Sequence, residues 1–309
     1  MKKKNIIKSI LKPIVDYHKK KNNEWRASHP QEFADRIYQK KFGRKINWNN
    51  PTEFNEKIRW MQFNTDTSMW TQLADKYRVR RYLEDRGYGD ILVKLYGVWN
   101  SPEEIDFDSL PNSFVLKTNH GSGEVIVVKD KRSIDVSLIR EKMDHFLHTP
   151  FGYQTAEPHY LHIKPVIMAE EMIVNDSSWS NSLVDYKFYC FNGEPFCCTV
   201  FFNRDIDKHQ RFAEIYDMDW NRHNEWLRDS YRPDVTIDVP RPQCLFQLVE
   251  TCRKLAANFP FVRMDFYVKG DKFFFGEYTF TPAACSISAF NNEACSNVLG
   301  PLLKVNLSK

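Results

Sequence analysis

Residues 261–282 read FVRMDFYVKGDKFFFGEYTFTP, a strongly β-prone segment that carries charged side chains at alternate positions. Side chains of a strand point alternately to the two faces of a sheet, so Arg263 and Asp265 share one face of a first strand. By the same rule, Glu277 and Thr279 share one face of a second strand. Such positions in a buried strand are usually apolar, so the segment predicts a hairpin that carries either a functional site or an exposed acidic surface.

The length of the hairpin turn decides whether the two acids meet. A two-residue turn at Gly270-Asp271 sets Asp265 opposite Gly276 and leaves Glu277 on the other face. A turn that also includes Lys272 pairs Asp265 with Glu277. Two carboxylates directly opposite in a sheet repel each other unless a cation lies between them, and a Mg²⁺ ion completed by substrate phosphates would satisfy them. A metal site therefore requires a turn with an odd number of residues.

The composition indicates a globular protein of the cytoplasm. The 309 residues are 42% hydrophobic and 15% aromatic, which is enough for a large core. The seven cysteines contain no Cys-x-x-Cys pair, and we interpret them as reduced, buried thiols. No stretch approaches the length of a membrane span, and no apolar secretion signal follows the N-terminal lysines. We expect a cytoplasmic location.

Basic character is confined to the N-terminus. Residues 1–22 hold eight lysines and one aspartate, a charge of +7, while the whole chain is +4, so the remainder is −3. Aliphatic residues recur at helical spacing between the lysines, which is typical of helices that lie on anionic membranes, although Pro13 weakens the pattern. The alternatives are peripheral contact with the inner face of an anionic membrane, or a solvated arm or helix packed on the body. Nucleic acid is not expected as a partner, because no aromatic-rich basic patch follows.

A strand, a glycine-rich turn and a second strand occupy residues 113–129. The turn is His120-Gly-Ser-Gly123, and Lys117 lies at the end of the strand before it. Glycines let backbone N–H groups approach a bound anion, so the turn predicts a phosphate site, with an ordinary hairpin turn as the alternative. The spacing is not that of a P-loop, and no βαβ unit surrounds it.

Other polar residues fall in predicted helices and strands. One helix is predicted over residues 71–86, with Lys76 inside it. A strand over 163–174 is interrupted by Glu170 and Glu171, of which one must face inward or toward a cleft. Asp185 and Lys187 share one face of a strand over 181–189 and either pair with each other or serve a ligand.

The polar stretch 203–233 contains Arg204, His209 and Arg211. We predict that it is a solvated insertion, and the alternative is that these three residues bind the substrate.

Taken in order, these motifs resemble the ATP-grasp superfamily over residues 74–286. Within it, the chain resembles the teichuronopeptide and capsule-biosynthesis (TupA-like) branch over nearly its whole length. The matching stretches are PTEFNEK (51–57), ADKYRVR (74–80), VLKTNHGSG (115–123), DYKFYCFNG (185–193) and MDFY (264–267).

The resemblance implies an α+β, ATP-grasp fold in which two α+β lobes clasp ATP, preceded by a helical basic N-terminal extension. The expected ranges are 1–50 for the extension, 51–112 for a region with the Asp75-Lys76 helix, 113–168 for the small lobe with the glycine-rich loop, and 169–309 for the large lobe with the metal-binding hairpin.

The resemblance also implies a role for each matching residue. Residues that correspond to contacts of the ATP phosphates are Lys76 and Lys117, with His120, Gly121, Ser122 and Gly123 as the lid above them. Residues that correspond to the adenine hinge are Glu170, Glu171 and Ile173, and Asp185 corresponds to a polar position near the ribose. Arg263 and Lys187 correspond to catalytic positions, and Asp265 and Glu277 to Mg²⁺ ligands. Thr279 replaces the more usual asparagine, although a hydroxyl can also coordinate Mg²⁺.

The activity that the resemblance implies is that of an ATP- and Mg²⁺-dependent carboxylate–amine ligase, which forms an amide through an acylphosphate. Its carboxylate and its amine would come from a sugar or an amino acid in the biosynthesis of capsule, teichuronopeptide or O-antigen. The alternative is a glycosyltransferase of surface polysaccharide biosynthesis, a label often given to this branch. Three Asp-x-Asp sequences, at Asp106, Asp205 and Asp217, would fit its metal site, but chance accounts for them.

Overall fold

The structure, a computed structural model, describes residues 15, 17–18, 20–205, 210–286 and 289–307. In these ranges the chain forms two antiparallel sheets, each with its own apolar core. Most of the basic segment 1–22, with its predicted membrane contact, lies outside the described residues, as does His209. Within the described ranges, no helix is both long enough and apolar enough to cross a membrane.

Helices dominate the first part of the described chain. Residues 20–28 are helical. They are followed by α1 (Pro30–Phe42), α2 (Phe54–Asn64), α3 (Ser68–Ala74) and α4 (Arg78–Glu84). Buried side chains of α2, α3 and α4, among them Phe54, Trp70 and Leu83, belong to the same apolar core as the second sheet. These helices therefore pack with the lobe that carries the acidic hairpin.

The stretch PTEFNEK (51–57) fixes the start of α2. Glu53 and Glu56 form a capping box, in which each carboxylate accepts a backbone N–H at the helix start. Arg44 pairs with both acids. Lys57 donates hydrogen bonds to the carbonyls of Gly300 (2.8 Å) and Leu303 (2.9 Å). This stretch therefore has a structural role, in capping α2 and tying it to the C-terminal segment.

The single helix predicted over residues 71–86 is wrong. The chain breaks between α3 and α4, where Asp75 is extended (ψ 107°). Its Oδ1 accepts the backbone N–H groups of Tyr77 (2.9 Å) and Arg78 (3.1 Å), which starts α4 afresh. Lys76 lies in the break, and its own N–H donates to the carbonyl of Asn119 (3.1 Å). The break thus joins Lys76 to the loop after β2.

The first sheet has the strand order β1-β4-β2-β3. Its strands are β1 (Leu95–Trp99), β2 (Phe114–Thr118), β3 (Val125–Val128) and β4 (Ile167–Glu170), and helix α5 (Val136–His148) packs against β2. Leu116, Met143 and Ile167 lie in its core. The predicted strand over 163–174 is shorter than expected, because β4 ends at the first of the two adjacent acids.

The second sheet has the strand order β7-β6-β5-β8-β9. Its strands are β5 (Asp185–Phe191), β6 (Glu194–Asp205), β7 (Gln210–Asp217), β8 (Phe261–Lys269) and β9 (Lys272–Thr279), and helix α6 (Leu245–Ala256) covers one face. The prediction of a solvated insertion over 203–233 is wrong, because β7 is the edge strand of this sheet and buries Ala213 and Ile215. The seven cysteines are buried and none forms a disulfide, as predicted.

The hairpin β8–β9 has the pairing that a metal site needs but not the predicted turn. Lys269 pairs with Lys272, so the turn has two residues and the expected odd-numbered turn is wrong. Asp265 still lies opposite Glu277, because a β-bulge at Gly276 adds one residue to β9 and reverses the facing of the residues after it. A Cβ atom on Gly276 would lie 3.0 Å from the carbonyl oxygen of Asp265, so a side chain there would press on β8.

Candidate active site

Asp265 and Glu277 face each other on the side of the second sheet that is turned away from α6. Asp265 is buried, and the side chain of Glu277 is 32% exposed. Thr279 lies on the same face, opposite Arg263, and its hydroxyl donates to Oε1 of Glu277 (3.1 Å). The hairpin therefore presents two carboxylates and a hydroxyl together, which is an all-oxygen donor set.

Arg263 binds all three of these groups. Its Nε and Nη2 atoms donate to the two oxygens of Asp265 at 2.6 and 2.7 Å, a bidentate contact. Nη2 also lies 3.1 Å from Oε1 of Glu277 and 3.0 Å from the hydroxyl of Thr279. The guanidinium thus supplies the positive charge that two opposed carboxylates require.

The acids continue outward as a chain of ion pairs across neighbouring strands. Lys187 on β5 pairs with Asp265 and lies 3.5 Å from Asp185. Asp185 in turn pairs with Arg204 on β6. At the other end, Nζ of Lys76 lies 4.0 Å from Oε2 of Glu277. We call this alternating series the ion-pair chain: Lys76, Glu277, Arg263, Asp265, Lys187, Asp185 and Arg204.

Burial and these neighbours shift the protonation of the site. Burial disfavours charge on Glu277, but Lys76, Arg263 and Lys187 outweigh it and lower the pKa of Glu277 to about 2. Burial lowers the pKa of Lys76 below its usual value, against the pull of Glu277. Burial would also lower the pKa of Arg263, but Asp265 and Glu277 hold it above its usual value. The hairpin carboxylate that faces Lys76 is therefore charged at neutral pH.

The first sheet brings a second set of charges to the region around Lys76, between the glycine-rich loop and the β8–β9 hairpin, which we call the cleft. Nζ of Lys117 lies 2.5 Å from Oε2 of Glu170, and Arg80 of α4 lies 3.4 Å from its other oxygen. Glu170 is buried and Glu171 is exposed, so the prediction that one of the two acids faces inward is confirmed. The backbone N–H of Glu171 donates to the carbonyl of Lys94 (2.9 Å), and Ile173 beyond it is half-buried.

The glycine-rich loop folds back on Lys76. Nζ of Lys76 donates to the carbonyl of Gly121, and Gly123 takes the left-handed conformation (φ +82°). Glu124 packs so closely on Gly121 that a Cβ atom there would lie 1.9 Å from its carboxylate oxygen. Glu124 also accepts the hydroxyl of Thr118 (2.8 Å). Ser122 at the tip is exposed, so this loop leaves a polar edge at the cleft.

His120 lies inside that loop and is buried. Its Nε2 lies 3.2 Å from the carbonyl of Thr149, while its Nδ1 has no hydrogen-bond partner in the described part of the chain. A buried nitrogen without a partner is costly, and a ligand or water that entered the loop would relieve that cost.

These residues fit a Mg²⁺–nucleotide complex. Within the described residues, no group of three or more His, Cys, Asp or Glu side chains is placed to hold a metal on its own. Mg²⁺ differs from structural metals in this respect, since it is commonly held by one or two carboxylates and by the phosphates of its substrate. Asp265 and Glu277 supply such a pair, and Lys76 and Lys117 supply cations for phosphates.

The family model of the TupA-like ATP-grasp proteins matches residues 56–304. The chain belongs to the TupA-like ATP-grasp family. This confirms the predicted family and the predicted ATP-grasp fold. A search of curated proteins found no match.

Solved ATP-grasp structures are also similar to the chain. The ligase PsnB with its minimal precursor is 14% identical over 80% of this chain and 65% of its own, with a TM-score of 0.42. The D-alanine–D-alanine ligase of Bacillus anthracis is 16% identical over 81% of this chain and 65% of its own, with a TM-score of 0.42. The same ligase from Helicobacter pylori is 16% identical over 82% and 70%, with a TM-score of 0.40. The chain thus spans about two thirds of these proteins.

The structure adds residues that the motifs did not single out. Glu124 packs on Gly121 of the glycine-rich loop. Its position directly after Gly123 is the feature of the sequence that could have identified it. Arg80 reaches Glu170 from α4, and it ends the matching stretch 74–80. Tyr160 is half-buried and has no local signal in the sequence; burial first, and then Glu157 and Glu277, raise the pKa of its hydroxyl. These contacts depend on how distant segments pack.

Proposed function

We propose that this protein is an ATP- and Mg²⁺-dependent carboxylate–amine ligase that forms an amide through an acylphosphate. The observation that carries the proposal is the pairing of Asp265 with Glu277 at the Gly276 bulge, on a face that also receives Lys76 and Lys187. A bulge that restores this pairing after a two-residue turn is difficult to explain by packing alone, because it places two acids where a strand would otherwise bury apolar groups.

In this proposal the positive groups of the cleft bind the triphosphate. Lys76 and Lys117 contact its phosphates, and residues 120–123 close over them. Glu170, Glu171 and Ile173 receive the adenine. Asp185 does not contact the ribose in this proposal, because its carboxylate pairs with Lys187 and Arg204 at the end of the ion-pair chain away from Lys76. The two lysines lie with their amino groups near carboxylates, so phosphate oxygens would exchange one set of anionic partners for another rather than desolvate bare cations.

Mg²⁺, held by Asp265, Glu277 and the hydroxyl of Thr279, would neutralise charge on the phosphoryl oxygens. Arg263 contacts Asp265 and Glu277, and Lys187 contacts Asp265. Both cations are placed to stabilise the negative charge that develops as the phosphoryl group moves to a substrate carboxylate. Positioning and electrostatics carry this chemistry, so the chain needs no nucleophile of its own.

The proposed setting is the assembly of a cell-surface polysaccharide such as capsule, teichuronopeptide or O-antigen. The carboxylate and the amine would then belong to a sugar or an amino acid. We also propose that the protein works in the cytoplasm, with residues 1–22 in reach of the anionic inner face of the membrane.

Substrate-dependent ADP release tests the reaction. The protein should release ADP from ATP when Mg²⁺, a uronic acid and an amino acid are all present. Release of UDP from a sugar nucleotide would instead favour a glycosyltransferase. In parallel, Asp265→Asn should remove the Mg²⁺-dependent part of ATP binding in calorimetry. ATP affinity that stays the same in this variant, with and without Mg²⁺, would count against the metal site.

Lys117→Ala tests the phosphate contact separately. The loss of a charge-assisted contact should weaken ATP binding about 10- to 100-fold. Lys129→Ala is the matched control, because Lys129 is exposed just beyond the end of β3. Equal effects of the two substitutions would contradict the assignment of Lys117.

No contact among the described residues favours the glycosyltransferase alternative. The first aspartates of two Asp-x-Asp sequences cap tight turns: Asp106 accepts the N–H of Asp108 (3.1 Å), and Asp217 accepts those of Asp219 (3.0 Å) and Asn221 (2.8 Å). The third sequence includes residue 207, outside the described ranges.

A further inference from the structure

The face of the second sheet that carries the metal pair extends over two more strands. The strand pairing places Phe201 of β6 opposite Asp185 of β5, and Ala213 of β7 opposite Phe201. Arg211 lies two residues before Ala213 and therefore shares this face. Beyond Lys187, the face thus leads to a group of aromatic and basic side chains, which we call the outer subsite: Phe201, Arg204, Arg211 and Tyr231.

Arg211 is held by aromatic rings. Its guanidinium lies 5.7 Å from the ring of Phe201 and 5.3 Å from the ring of Tyr231. One N–H donates to the hydroxyl of Tyr231 (2.9 Å). Both rings are buried, whereas Arg211 is exposed. Guanidinium groups stacked in this way are preorganised and keep their remaining N–H donors for a ligand.

Arg204 reaches the same face through an irregularity in β6. The pairing of β6 with β7 shifts between Phe202 and Asp205, and Asn203 takes the left-handed conformation (φ +47°). This turns the side chain of Arg204 toward Asp185. The backbone of Arg204 is fixed by a hydrogen bond to the hydroxyl of Ser182 (2.8 Å), while 42% of its side chain is exposed.

The balance of charge along the ion-pair chain leaves this end positive. The chain alternates four cations with three carboxylates, so it has a net charge of +1 and ends on Arg204. Asp185 is contacted by both Arg204 and Lys187, and Lys187 also pairs with Asp265. Arg211 adds a further cation, and the contacts above give it a hydroxyl and two rings rather than a carboxylate. Paired forks of this type match carboxylate and phosphate oxygens.

We propose that Arg204 and Arg211 form a subsite for a second anionic group of the substrate, a carboxylate or a phosphate, while the reacting carboxylate lies at the pair Asp265 and Glu277. This inference rests on the proposed ligase function and names its substrate class as a molecule with two separated anionic groups. The aromatic rings orient Arg211, and the strand irregularity aims Arg204.

The spacing of the strands limits the size of that substrate. Neighbouring strands lie about 4.8 Å apart and residues two apart on one strand about 7 Å, so the Cα atom of Asp185 is roughly 8 Å from that of Asp265. Arg204 and Arg211 lie on the next two strands, β6 and β7. The two anionic groups of the substrate must bridge the distance from these strands to Asp265. Two linked uronic acids, or a uronic acid that bears a phosphate, can span it.

Calorimetry without nucleotide tests the subsite separately from the ATP site. The probes are digalacturonic acid and galacturonic acid 1-phosphate, each compared with galacturonic acid, which carries one anionic group. At least one two-anion probe should bind the wild-type protein about tenfold more tightly than galacturonic acid. The probe that does so tells whether the second group is a carboxylate or a phosphate. If neither does, the proposal is wrong.

Substitutions then locate the binding. Arg211→Gln and Arg204→Gln should each weaken the binding of the preferred probe about tenfold. Arg211→Lys keeps the charge but loses the planar guanidinium, so its affinity should lie between those of the wild type and Arg211→Gln. Arg253→Gln is the matched control, because Arg253 of α6 is 45% exposed and paired with carboxylates on the other side of the sheet. An equal loss in the control would overturn the assignment.

The two proposals can fail independently. ATP affinity should be unchanged in Arg211→Gln, because the subsite lies away from the phosphate lysines. If Asp265→Asn keeps Mg²⁺-dependent ATP binding while the probe results hold, the metal assignment fails and the anion subsite stands.

Discussion

Replacement of Glu277 by glutamine tests whether the ion-pair chain stabilises the protein before any ligand binds. Lys76, Arg263 and Lys187 lower the pKa of this carboxyl from 4.5 to about 2. For a fully buried group that difference corresponds to about 3 kcal/mol in favour of the charged form. The side chain is 32% exposed, and solvent screening reduces the expected loss in Glu277→Gln to about 2 kcal/mol at pH 7.

The sign of the pH dependence is fixed by the lowered pKa. The contribution of Glu277 is complete above the pKa of the unfolded chain, near 4.5, and is lost as the pH falls toward 2. Urea unfolding without Mg²⁺ should therefore show wild type more stable than Glu277→Gln at pH 7, with the difference at least halved at pH 3. Glu103→Gln, an exposed acid, serves as the control.

The opposite result has a clear meaning. If the two carboxylates mainly repel each other, removal of one should leave the free protein equally or more stable at pH 7. That outcome would refute the view that Arg263 and the lysines already neutralise the pair, and would make Mg²⁺ the principal source of their stability.

His159→Phe should stabilise the protein by about 2–3 kcal/mol more at pH 4.5 than at pH 8 in urea unfolding. Burial lowers the pKa of His159 from 6.5 to about 3, so between these two pKa values the imidazole is protonated in the unfolded chain only. His223→Gln should destabilise by about 0.5–1 kcal/mol at pH 6 and very little at pH 9. Burial opposes protonation there, but Glu225 and Asp217 raise the pKa of His223, so its contribution is lost as the pH rises through the folded value. Gly276→Val should weaken the Mg²⁺-dependent part of ATP binding in calorimetry while ATP alone still binds, because the new Cβ would press on the carbonyl of Asp265; unchanged Mg²⁺ dependence would show that the bulge does not position the pair.

The polar face of the hairpin could be predicted from sequence, but the means of forming it could not. Asp265 and Glu277 can lie opposite each other only if one extra residue is inserted between them, either in the turn or in β9. The sequence pattern predicts the extra residue in the turn, whereas the structure has it in β9, at Gly276. A glycine in a strand is a weak signal for a bulge, and only the packing of Phe275 and Tyr278 on the core side distinguishes the two solutions.

Other differences have the same origin in contacts between distant segments. The helical pattern over 71–86 is continuous in sequence, and the break at Asp75 depends on Asn119, which donates to its carboxylate (2.9 Å). Lys76 belongs to one of the matching stretches, but its contact with Gly121 requires both the break and the loop. The polar composition of 203–233 conceals a strand, because β7 begins with the exposed polar residues Gln210 and Arg211 and its buried stretch includes the charged residue Glu214.

The separate cores of the two sheets have a mechanical consequence. Leu116 and its neighbours pack with α5, while Phe266 and its neighbours pack with α6, so each sheet keeps its apolar contacts when the other moves. A movement that widens the cleft would mainly break polar links such as the contact of Lys76 with Glu277, and water can replace those partners. Opening should therefore expose little apolar surface, so its heat-capacity change should be small.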